Sequence, residues 1–248
     1  MGRTLCVVNQ KGGVGKTTSA VNLAVALAKS GKTTLLVDLD PQCNATTGLG
    51  ILPVSSHPLV NGEALHPALR QIGSDGVSLL PGSRAFRDVE ALAHIDQAQF
   101  VRLRHQLAGV QASFDFTVFD CPPSVGSLTR TALACSSEVF MPIQCEYFAM
   151  EGLTQMIEVI REVMESGRGQ LQFGGILLTM FDPTLELTWE VEKEVREFFG
   201  EIVYRTVIPR DVAAAEAPSH GKSVIDYAPR SRVTRAYLEL CMEVLERD

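Results

Sequence analysis

The segment 9–18, NQKGGVGKTT, combines two lysines, Lys11 and Lys16, with a run of glycines. Glycines let backbone N–H groups turn inward around an anion, and an ammonium group adds charge at the phosphates. The segment fits the phosphate loop G-x-x-x-x-G-K-[ST], except that Gln10 stands where that pattern has its first glycine. We predict that Lys16 reaches the β- and γ-phosphates of a nucleotide and that Thr17 ligates Mg²⁺.

Two acidic motifs each follow an apolar run that is typical of a buried strand. DLDPQ at 38–42 places Asp38 and Asp40 at the carboxyl end of one strand, and FDCPPS at 119–124 makes Asp120 the last residue of another. Ligands bind at the carboxyl ends of strands in open α/β sheets, where an aspartate can contact Mg²⁺ directly or through water. Taken alone, either motif could equally be a turn or a helix cap. Three strand ends, one carrying the G-K-T loop and two carrying these aspartate motifs, together favour a nucleotide site.

Apolar runs alternate with helical patterns along the whole chain. The predicted strands are 4–8, 34–38, 77–81, 116–120, 138–142, 174–179 and 203–209, and the predicted helices lie near 16–30, 91–108, 127–135, 153–166, 187–199 and 233–246. Residues 51–75, rich in Pro, Ser, His and Gly, are expected to form a loop. The alternation predicts an α/β fold with a doubly wound, mostly parallel sheet flanked by helices. We expect a single P-loop domain over 1–248.

Composition excludes several classes of protein. The 248 residues are 46% hydrophobic and 21% charged, and the net charge of −7 argues against indiscriminate binding to nucleic acid or anionic membranes, although it allows a local basic face. The six cysteines form no C-x-x-C pair and the five histidines no H-x-x-x-H spacing, so we expect no Cys/His metal cage. The apolar contexts of Cys6 and Cys121 indicate buried thiols. We see neither a signal peptide nor a run of about 20 apolar residues, and expect a reducing cytoplasm.

The motifs, taken together, resemble those of the ParA/Soj family of chromosome and plasmid partition ATPases. The segments that carry the resemblance are KGGVGKTT at 11–18, DLDPQCNAT at 38–46, FDCPPSVGSLT at 119–129, QCEYFAMEGL at 144–153, LLTMFD at 177–182 and VIPRDVAAAEAPSHGK at 207–222. The resemblance implies a deviant Walker A loop, with ATP and Mg²⁺ as cofactors and slow ATP hydrolysis. It also implies an ATP-dependent homodimer whose subunits pack face to face, and a ParB-like activator protein.

The resemblance also implies roles for individual residues. Lys11 would act in trans on the partner's nucleotide, much as an arginine finger does, so that catalysis depends on dimerisation. Asp40 would position the attacking water, and Asp120 would be the magnesium-linked switch residue. The implied catalytic residues are Lys11, Lys16, Asp40 and Asp120, and the implied Mg²⁺ contacts are Thr17, Asp40 and Asp120.

The base is expected to be adenine, because the N-K-x-D signature of guanine readers is missing and the matching strand end reads TMFD at 179–182. The resemblance places the adenine between that segment and the turn at 208–210. The expected nucleotide contacts are Lys11, Gly12, Gly13, Val14, Gly15, Lys16, Thr17, Thr18, Met180, Pro209, Arg210 and Asp211.

DNA binding is the point at which this sequence departs from the family. The family implies nonspecific duplex binding through scattered basic residues, but two positions where arginine is usual hold Thr184 and Ala213, and the predicted helix over 186–197 is acidic. The remaining candidate DNA contacts are Arg205, Arg210, Lys222, Arg230, Arg232 and Arg235. We expect weak, salt-sensitive binding to double-stranded DNA, and nucleoid association if it holds.

Three other functions belong to the same scaffold. The first is a ParA-like ATPase that positions a protein cargo with weak or no DNA binding. The second is a MinD-like membrane-associated ATPase, which the acidic ending YLELCMEVLERD disfavours because anionic lipid attracts basic helices. The third is a metabolic enzyme, or a protein like the nitrogenase iron protein, for which a second cluster-ligating cysteine motif is missing.

Overall fold

The computed structural model describes residues 2–73, 76–90, 97–146, 151–166 and 170–247. The strands are β1 Arg3–Val7, β2 Thr34–Asp38, β3 Arg70–Ile72, β4 Val77–Leu80, β5 Phe116–Asp120, β6 Glu138–Gln144, β7 Gln172–Phe181 and β8 Val203–Pro209. The helices are α1 Lys16–Lys29, α2 Asn44–Gly48, α3 Pro58–Asn61, α4 Phe86–Glu90, α5 Gln97–Gln111, α6 Ser127–Ala134, α7 Glu151–Glu165, α8 Glu186–Phe199, α9 Val212–Glu216, α10 Val224–Tyr227 and α11 Arg232–Glu246.

These strands form one sheet in the order β3-β4-β2-β5-β1-β6-β7-β8, with β3 antiparallel to β4 and the other neighbouring pairs parallel. The central strands are buried along their whole length, as β2 and β5 illustrate, because helices cover both faces. Alternate residues of β1 enter opposite cores. Leu5 and Val7 pack with α1 and α11, whereas Cys6 packs with α5, α6 and α7. The predicted mostly parallel α/β sheet is confirmed.

Most predicted elements are confirmed with small shifts at their ends, and Cys6 and Cys121 are buried as expected. The loop prediction for 51–75 is wrong in part, because the segment contains α3 and β3. Strand β3 is short and polar and pairs with β4 alone, so it has no apolar run to mark it. Residues 91–96 of the helix predicted over 91–108 lie outside the described residues.

Strand β8 forms one edge of the sheet, and charged side chains bind the backbone groups of residues 204–206, where its register with β7 shifts. The Glu243 carboxylate accepts hydrogen bonds from the N–H groups of Arg205 at 2.7 Å and Thr206 at 3.1 Å. The Arg196 guanidinium donates to the carbonyls of Tyr204 at 3.1 Å and Arg205 at 3.2 Å. Burial raises the pKa of Glu243, but its N–H donors outweigh that effect and hold the pKa below its usual value.

A buried histidine fixes the connection between β2 and β4. His57 Nδ1 accepts a hydrogen bond from the N–H of Leu59 at the start of α3, and its Nε2 donates to the carbonyl of Pro81 at 3.0 Å. Its ring lies 4.5 Å from that of Phe86. Burial lowers the pKa of His57 to about 4, although the Pro81 hydrogen bond opposes the shift.

The free energy of unfolding should therefore fall as the solution is acidified. The unfolded chain binds a proton on His57 near pH 6.5, whereas the folded protein binds it only near pH 4. Stability from this group is complete above pH 6.5 and decreases towards pH 4, by about 2 kcal/mol between pH 7 and pH 5. His57→Asn keeps a helix-capping side chain that does not titrate. Urea unfolding at both pH values should show a smaller pH effect in the variant, and equal pH effects would contradict this prediction.

Candidate nucleotide site

The glycine-rich segment forms the loop between β1 and α1. Gly13 and Gly15 have φ of 77° and 86°, in the left-handed region that favours glycine, and α1 begins at the next residue. The Asn9 side chain donates to the carbonyl of Pro142 at 2.8 Å and accepts from the N–H of Lys11 at 2.9 Å. The Thr179 hydroxyl donates to the carbonyl of Val14 at 2.9 Å. The sequence did not predict these hydrogen bonds of Asn9 and Thr179, which together tie the loop to β6 and β7.

The two lysines of the loop make different contacts. Lys16 is buried, and its Nζ donates to the carbonyl of Lys11 at 2.9 Å. Burial lowers the pKa of Lys16, while the nearby carboxylates of Asp120 and Asp40 oppose the shift. Lys11 is partly exposed, and its Nζ lies 3.6 Å from Oε2 of Glu146. Lys16 is therefore held among carboxylates, and Lys11 lies at the surface.

Asp120 is a fully buried carboxylate. Neither of its oxygens has a hydrogen-bond partner of good geometry within the part of the chain that the structure describes. Burial raises the pKa of Asp120 well above its ordinary value, and the nearby carboxylates of Asp38 and Asp40 raise it further. The Thr17 hydroxyl and the Lys16 ammonium lower the pKa, but their effect is smaller. Such a group is costly unless a cation approaches it, and carboxylate oxygens are ligands that Mg²⁺ prefers. Asp120 beside Thr17 fits a divalent cation.

Asp38 shapes the turn that carries Asp40. Its Oδ2 accepts hydrogen bonds from the N–H of Thr46 at 2.9 Å and from the Thr46 hydroxyl at 2.6 Å, and its Oδ1 accepts from the N–H of Asp40 at 3.2 Å. Burial raises the pKa of Asp38 to about 6. Asp40 is also buried, and its Oδ1 accepts from the N–H of Gln42 at 2.8 Å. Asp38 is thus a positioning residue, a role that its D-x-D spacing alone does not reveal.

A cavity of about 370 Å³ lies beside the phosphate loop. Its lining joins loop residues to the two predicted adenine segments: Gly15, Thr18, Thr179, Met180, Ile208, Pro209, Arg210, Asp211, Val212, Ala214, Ala215 and Tyr237. Met180 has a φ of 54°, a left-handed conformation that is uncommon for a residue with a side chain and occurs often at functional sites. The structure brings together Met180, Pro209, Arg210 and Asp211 as the sequence predicted. Ile208 belongs to the predicted turn at 208–210, whereas the sequence did not reveal Val212 of α9 and Tyr237 of α11.

The six candidate DNA contacts do not form one patch. Arg232 begins α11. The pKa of Asp182 is lowered mainly by hydrogen bonds from Thr184, and the charges of Arg210 and Arg232 lower it further. Arg205 lies instead at the far end of α11, where its Nη2 is 2.9 Å from the carboxylate of Glu246. At a rise of about 1.5 Å per residue the two ends are about 20 Å apart. The other three candidates are exposed: Lys222, Arg230 and Arg235.

Comparison with known proteins identifies the family. A family model described as an AAA domain matches residues 2–173. The chromosome-partitioning ATPase Soj of Treponema pallidum is 43% identical over 250 residues, which cover 100% of this chain and 99% of that protein. The sporulation initiation inhibitor protein Soj of Bacillus subtilis is 43% identical over 251 residues, with 98% of both chains covered. The chain belongs to the Soj/ParA family of chromosome-partitioning ATPases.

A solved structure supports the fold of this Soj/ParA chain. Cobyrinic acid a,c-diamide synthase of Mycobacterium smegmatis, solved with bound ADP and magnesium, has a TM-score of 0.84 at 32% identity, covering 99% of this chain and 95% of that one. The family resemblance and the P-loop fold predicted from sequence are both confirmed. Within the described part of the Soj/ParA chain, no helix combines the length and the apolar character that crossing a membrane requires.

The packing around Asp38 gives a steric prediction. A Cβ added to Gly82 would lie 2.8 Å from the carboxyl carbon of Asp38, whereas one added to Gly109 in α5 would have no neighbour within 4 Å. Gly82→Ala must displace the side chain that holds Thr46 and Asp40, so we expect the free energy of unfolding to fall by about 1–3 kcal/mol. Gly109→Ala, the control, should leave it unchanged or raise it by up to about 1 kcal/mol. Urea unfolding measures both, and equal stabilities would contradict the prediction.

Proposed function

We propose that this Soj/ParA chain binds ATP and Mg²⁺, dimerises in the ATP-bound state, hydrolyses ATP slowly, and positions chromosomal or plasmid DNA with a ParB-like activator. The observation that carries this proposal is the convergence of Lys16, Asp40 and Asp120 beside the phosphate loop, with the Asp120 oxygens unpartnered among the described residues. Residues 1–248 act as one P-loop domain. The single sheet with a core on each face supports this.

The residues of the site divide the work of phosphoryl transfer. The backbone N–H groups of the loop and the Lys16 ammonium hold the phosphates, and Thr17 and Asp120 hold the cation, with Asp40 beside them. Mg²⁺, when bound, neutralises charge on the phosphates. Asp40 orients the attacking water, because its carboxylate is fixed by the turn that Asp38 braces. The largely apolar cavity takes the adenine, with Met180, Pro209, Arg210 and Asp211 among its lining residues.

Lys11 acts on the nucleotide of the partner subunit. Its ion pair with Glu146 involves two partly exposed side chains, and such pairs contribute only about 0–1 kcal/mol. The ammonium of Lys11 can therefore leave Glu146 when a second subunit offers a phosphate. Because the charge needed for transfer arrives from the partner, hydrolysis depends on dimerisation.

The ATP dimer binds DNA nonspecifically but weakly. Arg205 lies beside the carboxylates of Glu246 and Glu243, which reduce its attraction to phosphate, and the helix α8 adds five glutamates against one lysine and one arginine. The remaining candidates are Arg210, Lys222, Arg230, Arg232 and Arg235. The protein is cytoplasmic and associates with the nucleoid through these contacts.

A second candidate function is the positioning of a protein cargo by the same ATPase cycle. The acidic α8 and the loss of arginine at Thr184 and Ala213 favour it, since both reduce attraction to phosphate. A MinD-like membrane role is disfavoured, because the exposed side of α11 carries Glu239 and Glu246 near the end that would have to meet anionic lipid.

Two substitutions test the dimerising ATPase. Asp40→Ala should bind ATP but lose turnover, because the attacking water is no longer oriented, and the ATP-bound dimer should accumulate. Adding Lys11→Ala should leave ATP binding to the monomer largely intact and abolish the dimer. Lys16→Ala, the control for lost binding, should fail to bind ATP. Size-exclusion chromatography with ATP and Mg²⁺ distinguishes these states, and an undiminished dimer in the Asp40→Ala/Lys11→Ala protein would refute the trans role.

DNA binding separates the two candidate functions. The trapped Asp40→Ala dimer should bind duplex DNA at low salt and lose most of that affinity near physiological salt, with the salt slope reduced by about one for each phosphate contact removed. Reversing the charge of Arg230, Arg232 and Arg235 together should eliminate binding without changing basal ATP turnover. Fluorescence anisotropy at two salt concentrations measures this. No binding even at low salt would favour the protein cargo.

A further inference from the structure

Two glycines form a close backbone contact between the segment after α2 and the loop before α10. A Cβ added to Gly221 would lie 3.1 Å from the Cα of Gly50 and 3.3 Å from its backbone nitrogen. Both glycines have positive φ, 64° at Gly221 and 74° at Gly50. Gly48 faces the ring of Pro218 nearby, where an added Cβ would lie 3.3 Å from the Pro218 Cβ. Backbones approach this closely because neither glycine places a side chain between them.

One side of this contact leads to Asp40. The N–H of Ile51, the residue after Gly50, donates to the carbonyl of Thr46 at 3.1 Å. The N–H and the hydroxyl of Thr46 donate to the Asp38 carboxylate at 2.9 and 2.6 Å. The same carboxylate accepts a hydrogen bond from the N–H of Asp40 at 3.2 Å. A displacement of the backbone at Gly50 therefore reaches Asp40 through a short chain of hydrogen bonds.

The other side of the contact leads to the cavity beside the phosphate loop. Helix α9 continues directly into one turn of 3-10 helix, Ala217–His220, which ends at Gly221. We call α9, this turn and Gly221 the base segment. Val212 and Ala214 of the segment line the cavity. Because the segment is short and helical, a group that packs against α9 also restricts the position of Gly221.

We propose that the contact between Gly50 and Gly221 couples occupation of the cavity to the position of the turn that carries Asp40, and that Gly221 is a positioning residue for ATP hydrolysis. The inference rests on the proposed function, in which the adenine fills the cavity and Asp40 orients the attacking water. An adenine packed against α9 fixes the base segment, and the segment then holds Gly50 in place. Because coupling between two sites is reciprocal, an ordered turn also favours binding of the base.

The substitution Gly221→Ala tests the positioning role. Its methyl group forces the backbone at Gly50 to move by a few tenths of an ångström. We expect kcat for ATP to fall at least about fivefold while KM changes less than about threefold, because the nucleotide is still bound but the attacking water is misplaced. Steady-state ATPase assays measure both constants.

Gly31→Ala is the matched control for this substitution. Gly31 follows the end of α1 with a φ of 88°, and a Cβ added there would have no neighbour within 4 Å. The control thus places alanine in a left-handed conformation without a new contact, and its kcat should stay within about twofold of the unsubstituted protein. Thermal unfolding establishes that both variants are folded at the assay temperature. Gly221→Ala combined with Asp40→Ala should still form the ATP-bound dimer in size-exclusion chromatography, which shows that turnover rather than assembly is lost.

Hydrogen exchange tests the coupling independently of hydrolysis. Saturating ADP with EDTA fills the cavity but brings neither a γ-phosphate nor Mg²⁺ to Asp40. In the unsubstituted protein, ADP should slow amide exchange in residues 212–221 and also in residues 44–51. In Gly221→Ala, ADP should slow exchange in residues 212–221 alone, whereas Gly31→Ala should behave as the unsubstituted protein does.

Failure of this proposal and failure of the proposed function give different results. Equal kcat values in Gly221→Ala and Gly31→Ala would overturn the positioning role. Unchanged exchange in residues 44–51 when ADP protects residues 212–221 of the unsubstituted protein would overturn the coupling. Either result overturns the proposal and leaves the proposed function standing. Normal ATP turnover in Asp40→Ala, or no protection of residues 212–221 by ADP, would overturn the assigned nucleotide site and the coupling together.

Discussion

The register of three adjacent parallel strands is the constraint on which the rest of the site depends. In β5, Asp120 pairs with Val7 of β1 on one side and with Asp38 of β2 on the other, so the three strands end in one row. Loops that leave these ends must meet at the same edge, and the phosphate loop and the Asp40 turn do so. A shift of one residue in either pairing would turn Asp120 towards the opposite face and separate it from Lys16.

Buried charges and a strained backbone at the site reduce the stability of the folded protein, and the rest of the fold offsets this loss. It buries the Lys16 ammonium and the carboxylates of Asp38 and Asp120, and it holds Met180 in a left-handed conformation. Two apolar cores, one on each face of the sheet, provide the stability that keeps these groups in place. The protein thus keeps its charges arranged before the nucleotide arrives, so that little reorganisation is needed during transfer.

The sequence predicted those parts of the structure that a local pattern of residue types indicates. The apolar runs identified the central strands, and G-K-T with the two aspartate motifs located the strand ends that converge. Features that depend on residues distant in sequence could not be predicted. The hydrogen bonds of Asn9 to Pro142 and of Thr179 to Val14 each join distant parts of the chain. Tyr237 lines the cavity from α11. Glu146 contacts Lys11 only because β6 lies beside β1. Strand β3 was not predicted, because an exposed edge strand needs no apolar pattern.

The edge of the sheet at β8 has a consequence for how copies of this chain can associate. An uncovered edge strand is a template for backbone pairing with another chain, which leads to open-ended aggregates. Glu243 and Arg196 already bind the donors and acceptors of Tyr204, Arg205 and Thr206 that such pairing would use. A second chain could pair with residues 204–206 only by displacing Glu243 and Arg196, so β-augmentation at this stretch of the edge is disfavoured.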